Sequence, residues 1–214
     1  AFWDGSKPGF QHIIALCDLI IEGKEKDEID KEIIFNCQAK IGDFILKENG
    51  KRKLHNELIV KLKKAGFYHF GTGVETFAER LLRVPSINKK GNVSEADQHM
   101  VIKGLLKHGF SPSVNIILFV PEQTLEELFH TMRTATEYML EGIQIAMTPL
   151  LRPQSGSGIL ELIDKGLTTI KARYSEWVDP ETKEVFKYPL YCIPEDPKIA
   201  AFIEHFDIKD YEGM

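Results

Sequence analysis

Acidic side chains stand directly after short apolar segments at two places in this sequence. Glu75 follows the apolar segment at residues 67–72, and Glu122 follows the segment at residues 114–120. A glycine precedes each segment, and a helical pattern follows it. Repeats of this kind place polar groups at the carboxyl ends of parallel strands, where α/β proteins build active sites. One interpretation is an acid/base pair of Glu75 and Glu122, although no nucleophile, phosphate loop or metal-ligand set accompanies it.

A repeated series of strands and helices would position these side chains. Five strand patterns end near residues 2, 39, 72, 120 and 148, and helical patterns connect them, including one predicted over residues 77–83. An eight-stranded barrel typically takes about 250 residues, whereas this chain has 214. The sequence therefore predicts an α/β fold, namely a partial (β/α) TIM-type barrel of parallel strands whose first strand is absent.

The alternation of strand and helix patterns stops towards the end of the sequence. Residues 176–191 predict a β-hairpin around a Pro-Glu-Thr-Lys turn, and residues 196–206 predict a helix. We therefore expect two regions. Residues 1–166 form the partial barrel, and residues 167–214 form a C-terminal extension with the hairpin and the helix.

Composition excludes some classes of function. The chain is 43% hydrophobic and carries a formal net charge of −5, so it can bury one core and lacks the basic footprint of a general nucleic-acid binder. No apolar run reaches the length of a bilayer span, and no signal-peptide pattern is present. A soluble, cytoplasmic protein with no membrane partner is the expectation.

The three cysteines do not form a metal motif. Cys17, Cys37 and Cys192 are far apart, with no CxxC spacing among them. A sparse, odd set is typical of reduced thiols packed as small hydrophobic groups. No metal-ligating residue is therefore assigned.

Five short motifs follow one another between residues 2 and 160. They read FWDG, KKAGFYHFGTGVET, KKG with IKGLLKHGF, VNIILFVPEQT, and TPLLRPQSGSG. In this order and spacing they resemble the radical S-adenosylmethionine (SAM) superfamily, especially the group often fused to a cobalamin-binding domain. No single motif is specific, and the argument depends on all five together.

Two departures from that family pattern affect the expected function. The resemblance implies a CxxxCxxC motif whose thiolates hold a [4Fe–4S] cluster, and that motif would lie upstream of Phe2, outside this sequence. Phe119 stands where the family usually has a glycine next to the adenosine. A phenylalanine there would crowd a nucleoside that needs a close approach to the backbone.

The resemblance implies SAM and a [4Fe–4S] cluster as cofactors and leaves a cobalamin open. It assigns no catalytic residue, but it implies six cofactor-binding residues. These are Asp4 for the SAM ammonium group, Gln38 for the carboxylate or ribose, Glu75 as a site-lining or orienting group, Asn115 for the ribose hydroxyls, and Leu118 and Val120 for adenine. We expect the polar members to converge at one rim of the sheet.

Each of these residues also has a simpler interpretation. Asp4 fits a turn with a helix cap, and Gln38 fits a side chain that satisfies nearby backbone groups. Glu75 at the start of the predicted helix fits an N-terminal cap. Asn115 fits a buried structural amide, and Arg152 fits either a substrate anion or a solvated loop.

Two functions follow from the resemblance. The first is a fragment of a radical SAM enzyme, inactive alone because the cluster-binding segment is missing. The alternative is a cluster-less barrel that acts as a binding or scaffold domain, and the substrate stays unknown in both. A barrel that lacks strands exposes unpaired edges, so we also expect a homodimer through sheet edges.

Overall fold

Helices and strands alternate along most of the chain. The computed structural model describes residues 6–87, 93–154 and 156–205. The helices are α1 (Lys7–Glu25), α2 (Asn56–Ala65), α3 (Glu95–Lys107), α4 (Leu125–Leu140), α5 (Gly158–Asp164) and α6 (Pro197–His205). The strands are β1 (Phe35–Lys40), β2 (Ile45–Glu48), β3 (Lys51–Leu54), β4 (Phe67–Glu75), β5 (Ser111–Phe119), β6 (Gln144–Leu150), β7 (Lys171–Val178) and β8 (Val185–Ile193). Of the helices in these ranges, none has the length and apolar character that crossing a membrane requires.

The main sheet has four strands in the order β1-β4-β5-β6. Strand β4 pairs in parallel with β1 on one side and with β5 on the other. Strands β2 and β3 form a second, two-stranded antiparallel sheet, and β7 and β8 form a third. The parallel sheet, the C-terminal hairpin and the C-terminal helix are as the sequence predicts. The strand expected at residue 2 lies outside the described residues.

The chain divides into two compact units. One comprises Ala1–Phe77, Lys90–Ile116 and Thr136–Ala146, and the other comprises Ala78–Lys89, Ile117–Ala135 and Met147–Met214. The boundary expected after residue 166 and the homodimer through sheet edges stay predictions.

The core of the first unit is built on aromatic side chains behind the sheet. The Phe70 ring lies 5.2 Å from the Phe44 ring and 5.3 Å from the Phe110 ring, measured between centroids. Phe44 and Phe70 are fully buried. Helices α2 and α3 add the buried side chains Leu58, Ile59, Leu62, Val101, Ile102 and Leu105. Burying this apolar surface is what fixes which face of the sheet is turned inward.

The second unit has its own apolar clusters. Phe119 packs with Leu128 of α4, Leu150 of β6 and Ile199 of α6. A separate cluster joins Leu151, Ile159, Ile170 and Cys192. Strand ends, helices and the C-terminal extension therefore each contribute to the apolar clusters of this unit.

Local sequence signals explain several element boundaries. Helix α3 begins at a capping box in which Ser94 and Asp97 satisfy each other's backbone N–H groups. Strands β2 and β3 are joined by Asn49-Gly50, and both residues have positive φ values of 51° and 73°. An Asn-Gly pair is the strongest short-range hairpin signal, so this ribbon, which the sequence analysis did not predict, could have been found.

The α-helix predicted over residues 77–83 is wrong. The structure has only a short 3-10 helix, Leu81–Arg83, in that stretch. Pro85 disfavours helical backbone at the residue before it. Phe77 is fully buried and stacks on the His99 ring with a centroid distance of 5.7 Å, so side-chain packing holds this segment.

We expect Gly66→Ala to destabilise the chain more than Gly142→Ala. Both glycines follow a helix with positive φ, 99° and 85° respectively, so each alanine incurs a left-handed strain of about 1 kcal/mol. A Cβ at Gly66 would also lie 2.9 Å from the Ile33 carbonyl oxygen, whereas one at Gly142 meets nothing within 4 Å. Urea unfolding measures both costs. Equal costs would contradict the predicted backbone clash.

Candidate functional site

One face of the main sheet is polar across three neighbouring strands. A Cβ placed on Gly71 would lie 3.3 Å from Gln38 Cγ and 3.6 Å from Ser113 Oγ, so these side chains flank the glycine on its own face. Because successive side chains of a strand point to opposite faces of the sheet, every second residue of each strand lies on this face. It carries Asn36, Gln38 and Lys40 on β1, His69, Gly71 and Gly73 on β4, and Ser111, Ser113 and Asn115 on β5.

The pairing register aligns these residues in rows. Gly71 pairs with Gln38 and Ser113, and Gly73 pairs with Lys40 and Asn115. The central strand therefore has no side chain in either row. Polar side chains of β1 and β5 therefore flank two glycines of β4, and we refer to this arrangement as the trough. Glycine permits a close approach to the backbone.

The opposite face of the same strands is apolar and buried. Phe70, Val74 and Val114 are each fully buried. Thr72 is also fully buried, and its hydroxyl donates to the Ser113 carbonyl at 3.0 Å. The contrast between the faces shows that the polar residues lie outside the aromatic core of this unit.

Glu75 ends β4 in a strained backbone conformation. Its φ is 68°, and the pairing with β5 shifts register between Gly73 and Glu75. Non-glycine residues with positive φ are uncommon and collect at functional sites, at a cost of order 1–3 kcal/mol each. The preceding carbonyl, on Val74, accepts a 3.0 Å hydrogen bond from Nε2 of Gln98, which is fully buried.

Glu75 is not the cap of a following α-helix, which was the simpler interpretation of the sequence. In the described segment after it, no α-helix starts before the 3-10 turn at Leu81–Arg83. Instead, Phe77 is held between the rings of His99 and Tyr138. The Tyr138 hydroxyl and His99 Nδ1 are hydrogen-bonded at 2.5 Å, and burial raises the pKa of Tyr138.

The structure brings together three of the predicted cofactor-binding residues. Gln38, Glu75 and Asn115 lie on adjacent strands, with Asn115 one row above Gln38 and Glu75 paired with the residue after Asn115. Glu75 ends β4, whereas Asn115 lies in the middle of β5. Gln38 is exposed, and Glu75 and Asn115 are half-buried. Asp4 lies outside the described residues, so its role stays a prediction.

The two predicted adenine contacts lie in the second unit and pack into its core. Leu118 is half-buried against the cluster that contains Phe119. Val120 is fully buried against Ala78 and Leu81. The Phe119 ring is itself taken up by that core, being 1% exposed. The contacts of Leu118 and Val120 with adenine stay predictions.

Glu122 has a structural partner of its own. Both its carboxylate oxygens accept hydrogen bonds from Ser86, one from the backbone N–H and one from the hydroxyl. The Glu122 carbonyl accepts a 2.6 Å bond from Arg80, whose guanidinium also forms a bidentate pair with Glu127. This network fastens the loop after β5 to the 3-10 segment, which is a sufficient reason for a glutamate at that position.

Sequence reasoning missed the His69–Ser113 pair on the polar face. His69 Nε2 and Ser113 Oγ are hydrogen-bonded at 3.2 Å, and Ser113 is only 7% exposed. In the sequence, His69 lies within a regular strand, which favours a packing or surface role. The pattern around it therefore did not predict its contact with Ser113. The alternation Ser111, Ser113, Asn115 along an apolar strand was the available signal.

The cysteines are not suited to hold metal. Burial raises the pKa of the Cys17 thiol to about 11, that of Cys37 to about 12, and that of Cys192 to about 11. Metal ligation needs thiolates, which a raised pKa disfavours. Within the described ranges, no group of three or more His, Cys, Asp or Glu side chains is placed to hold a metal ion.

Comparisons of sequence find no relative. No protein-family model matches the chain, and no curated protein matches it.

Comparisons of structure do find similar folds. The radical SAM methyltransferase TsrM from Kitasatospora setae, with cobalamin and a [4Fe–4S] cluster bound, matches 94% of this chain at a TM-score of 0.64 and 13% identity. A TsrM structure with tryptophan substrate and the SAM analogue aza-SAM matches 92% of it at 0.62 and 12% identity. The cobalamin-dependent SAM radical enzyme OxsB matches 58% at 0.47 and 17% identity.

The likeness to TsrM confirms the predicted fold class and, at the level of the fold, the resemblance seen in the sequence. This chain spans 41% and 40% of the two TsrM chains and 16% of the OxsB chain. The chain therefore shares the parallel α/β fold of the TsrM structures.

We expect the raised thiol pKa values to lower stability in alkali. The folded chain keeps these protons, whereas unfolded thiols lose theirs near the ordinary thiol pKa of 9.0. The stabilisation is therefore complete below pH 9 and is lost as the pH rises towards 11. Urea unfolding across this range should show a shallower decline for Cys17→Ala/Cys192→Ala than for the parent chain. Parallel declines would show that the two thiols titrate normally.

Proposed function

We propose that this chain is the SAM-binding β/α part of a radical SAM enzyme. The observation that carries the proposal is the trough, in which polar side chains flank Gly71 and Gly73, and which leads to the carboxyl end of β4 at Glu75. Ligands of open α/β sheets bind outside the carboxyl ends of the strands. The fold, which the chain shares with TsrM, supports the same assignment. TsrM binds aza-SAM and tryptophan, and we extend only the SAM part to this chain.

The chemistry of the trough walls suits SAM. The Asn115 amide can accept from one ribose hydroxyl and donate to the other. The Glu75 carboxylate can accept from a hydroxyl or from the ammonium group, and the Gln38 amide can donate to the carboxylate. Glycine at position 71 keeps a further side chain out of the space between Gln38 and Ser113, since a Cβ there would contact both. When bound, SAM supplies a carbon attached to a positively charged sulfur, which makes that bond cleavable.

A [4Fe–4S] cluster does not fit the described residues. Its ligands are thiolates, whereas burial raises the pKa of all three cysteine thiols, and none of the three belongs to a group in the described ranges that could hold a metal ion. Cluster and cobalamin chemistry are therefore not assigned to these residues. The work proposed for them is to bind SAM, to orient its ribose and to exclude water from one side.

We expect Gly71→Ala to reduce SAM affinity about tenfold or more, a change of about 1.4 kcal/mol, while leaving stability nearly unchanged. The new methyl group meets Gln38 Cγ at 3.3 Å and Ser113 Oγ at 3.6 Å, which is close but tolerable contact. Calorimetric titration measures the affinity, and thermal unfolding measures stability. Gly158→Ala is the matched control, since a Cβ there meets nothing within 4 Å. Unchanged SAM affinity in Gly71→Ala would refute the trough as the site.

We expect Asn115→Ala to weaken SAM and adenosine by similar factors, about five- to thirtyfold for one or two hydrogen bonds. L-Methionine, which has no ribose, should bind equally to both proteins. Asn56→Ala, at the exposed start of α2, is the control. A larger loss for L-methionine than for adenosine would assign Asn115 to the amino-acid end of SAM instead of the ribose.

A further inference from the structure

A second group of polar residues lies on the same face, nearer the amino ends of the strands than the proposed SAM site. It comprises Asn36, His69, Ser111 and Ser113, and we refer to it as the lower layer. Asn36, His69 and Ser111 share one row of the pairing register, and Ser113 stands in the next row. Ser111 and Asn115 are four residues apart, which is roughly 13 Å along a strand. A group bound at Ser111 is therefore distinct from a ribose bound at Asn115, and Ser113, which also flanks Gly71, lies between the two.

The His69–Ser113 pair always offers a hydrogen-bond donor. If the Ser113 hydroxyl donates to His69 Nε2, the neutral imidazole carries its proton on Nδ1. If Nε2–H donates to Ser113 Oγ, the hydroxyl proton is left over. The 3.2 Å separation fits both arrangements. The lower layer thus presents a donor whichever tautomer is present, and the Ser111 hydroxyl and Asn36 amide add others.

The hydrogen-bond donors of the lower layer favour a ligand that accepts hydrogen bonds. The three strands that carry it, Phe35–Lys40, Phe67–Glu75 and Ser111–Phe119, contain a single acidic residue, Glu75, at the far carboxyl end. Lys40 is the only lysine or arginine in them. Within these three described strands, no carboxylate stands beside the lower layer to pair with a cationic group. A carboxylate ligand has two oxygens that accept from several donors.

We propose that the lower layer binds the carboxylate of the small molecule that the SAM-dependent reaction modifies. This assignment rests on the proposed function, and it gives His69 and Ser113 a role in substrate binding. One carboxylate oxygen accepts from the His69–Ser113 pair. The other accepts from Ser111 or Asn36.

The test uses benzoate and benzamide, which have the same shape and differ in charge. Proton NMR follows the His69 ring resonance, assigned through His69→Phe. Benzoate should shift that resonance saturably and bind about tenfold more tightly than benzamide. Ser113→Ala should weaken benzoate about tenfold, a change of about 1.4 kcal/mol. His12→Phe, at an exposed position on α1, should not change the affinity.

Equal binding of the two probes, or a His69 resonance that benzoate does not move, would overturn the assignment. A parallel SAM titration separates this failure from that of the proposed function. SAM binding with no benzoate effect leaves the proposed function standing and removes the lower layer from it. Benzoate binding without SAM binding overturns the proposed function, and with it the assignment of this layer to the enzyme's substrate.

Discussion

The parallel pairing of β4 with β1 and β5 places every polar group of the candidate site. Because the side-chain period of a strand is two, a slip of one residue would turn Asn115 and Ser113 into the core and Val114 out of it. The aromatic contacts of Phe70 with Phe44 and Phe110 act against such a slip. Apolar burial on one face thereby fixes the position of the chemistry on the other.

Glycines on the central strand turn this pairing into a site. Gly71 and Gly73 weaken β4 locally, since glycine loses more backbone entropy than other residues on folding. Because glycine has no side chain, these two positions lie lower than the polar side chains that flank them on β1 and β5. The same strand ends at Glu75, whose backbone is strained. Next to it, the buried Gln98 amide donates to the Val74 carbonyl. Local instability and strain concentrate where a ligand would bind.

A shared fold is weak evidence for a shared reaction. The identity to TsrM is 13%, and unrelated functions often use one fold. The argument for SAM therefore depends on the trough and its donors and acceptors. Burial raises the pKa of the three cysteine thiols, which disfavours them as ligands of a [4Fe–4S] cluster like the one in the TsrM structure.

Local patterns in the sequence were enough to establish the α/β class, the order of most elements and the strands on or beside which Gln38, Glu75 and Asn115 lie. Apolar periodicity and turn glycines are local properties, and for that reason they can be recognised without coordinates. The helix expected at residues 77–83 failed because the burial of Phe77 against His99 and Tyr138 is not local. The contact of Gly71 with Gln38 and Ser113, and the pairing of His69 with Ser113, join residues more than thirty positions apart. These contacts could be known only from the folded chain, since strand register depends on how distant side chains pack.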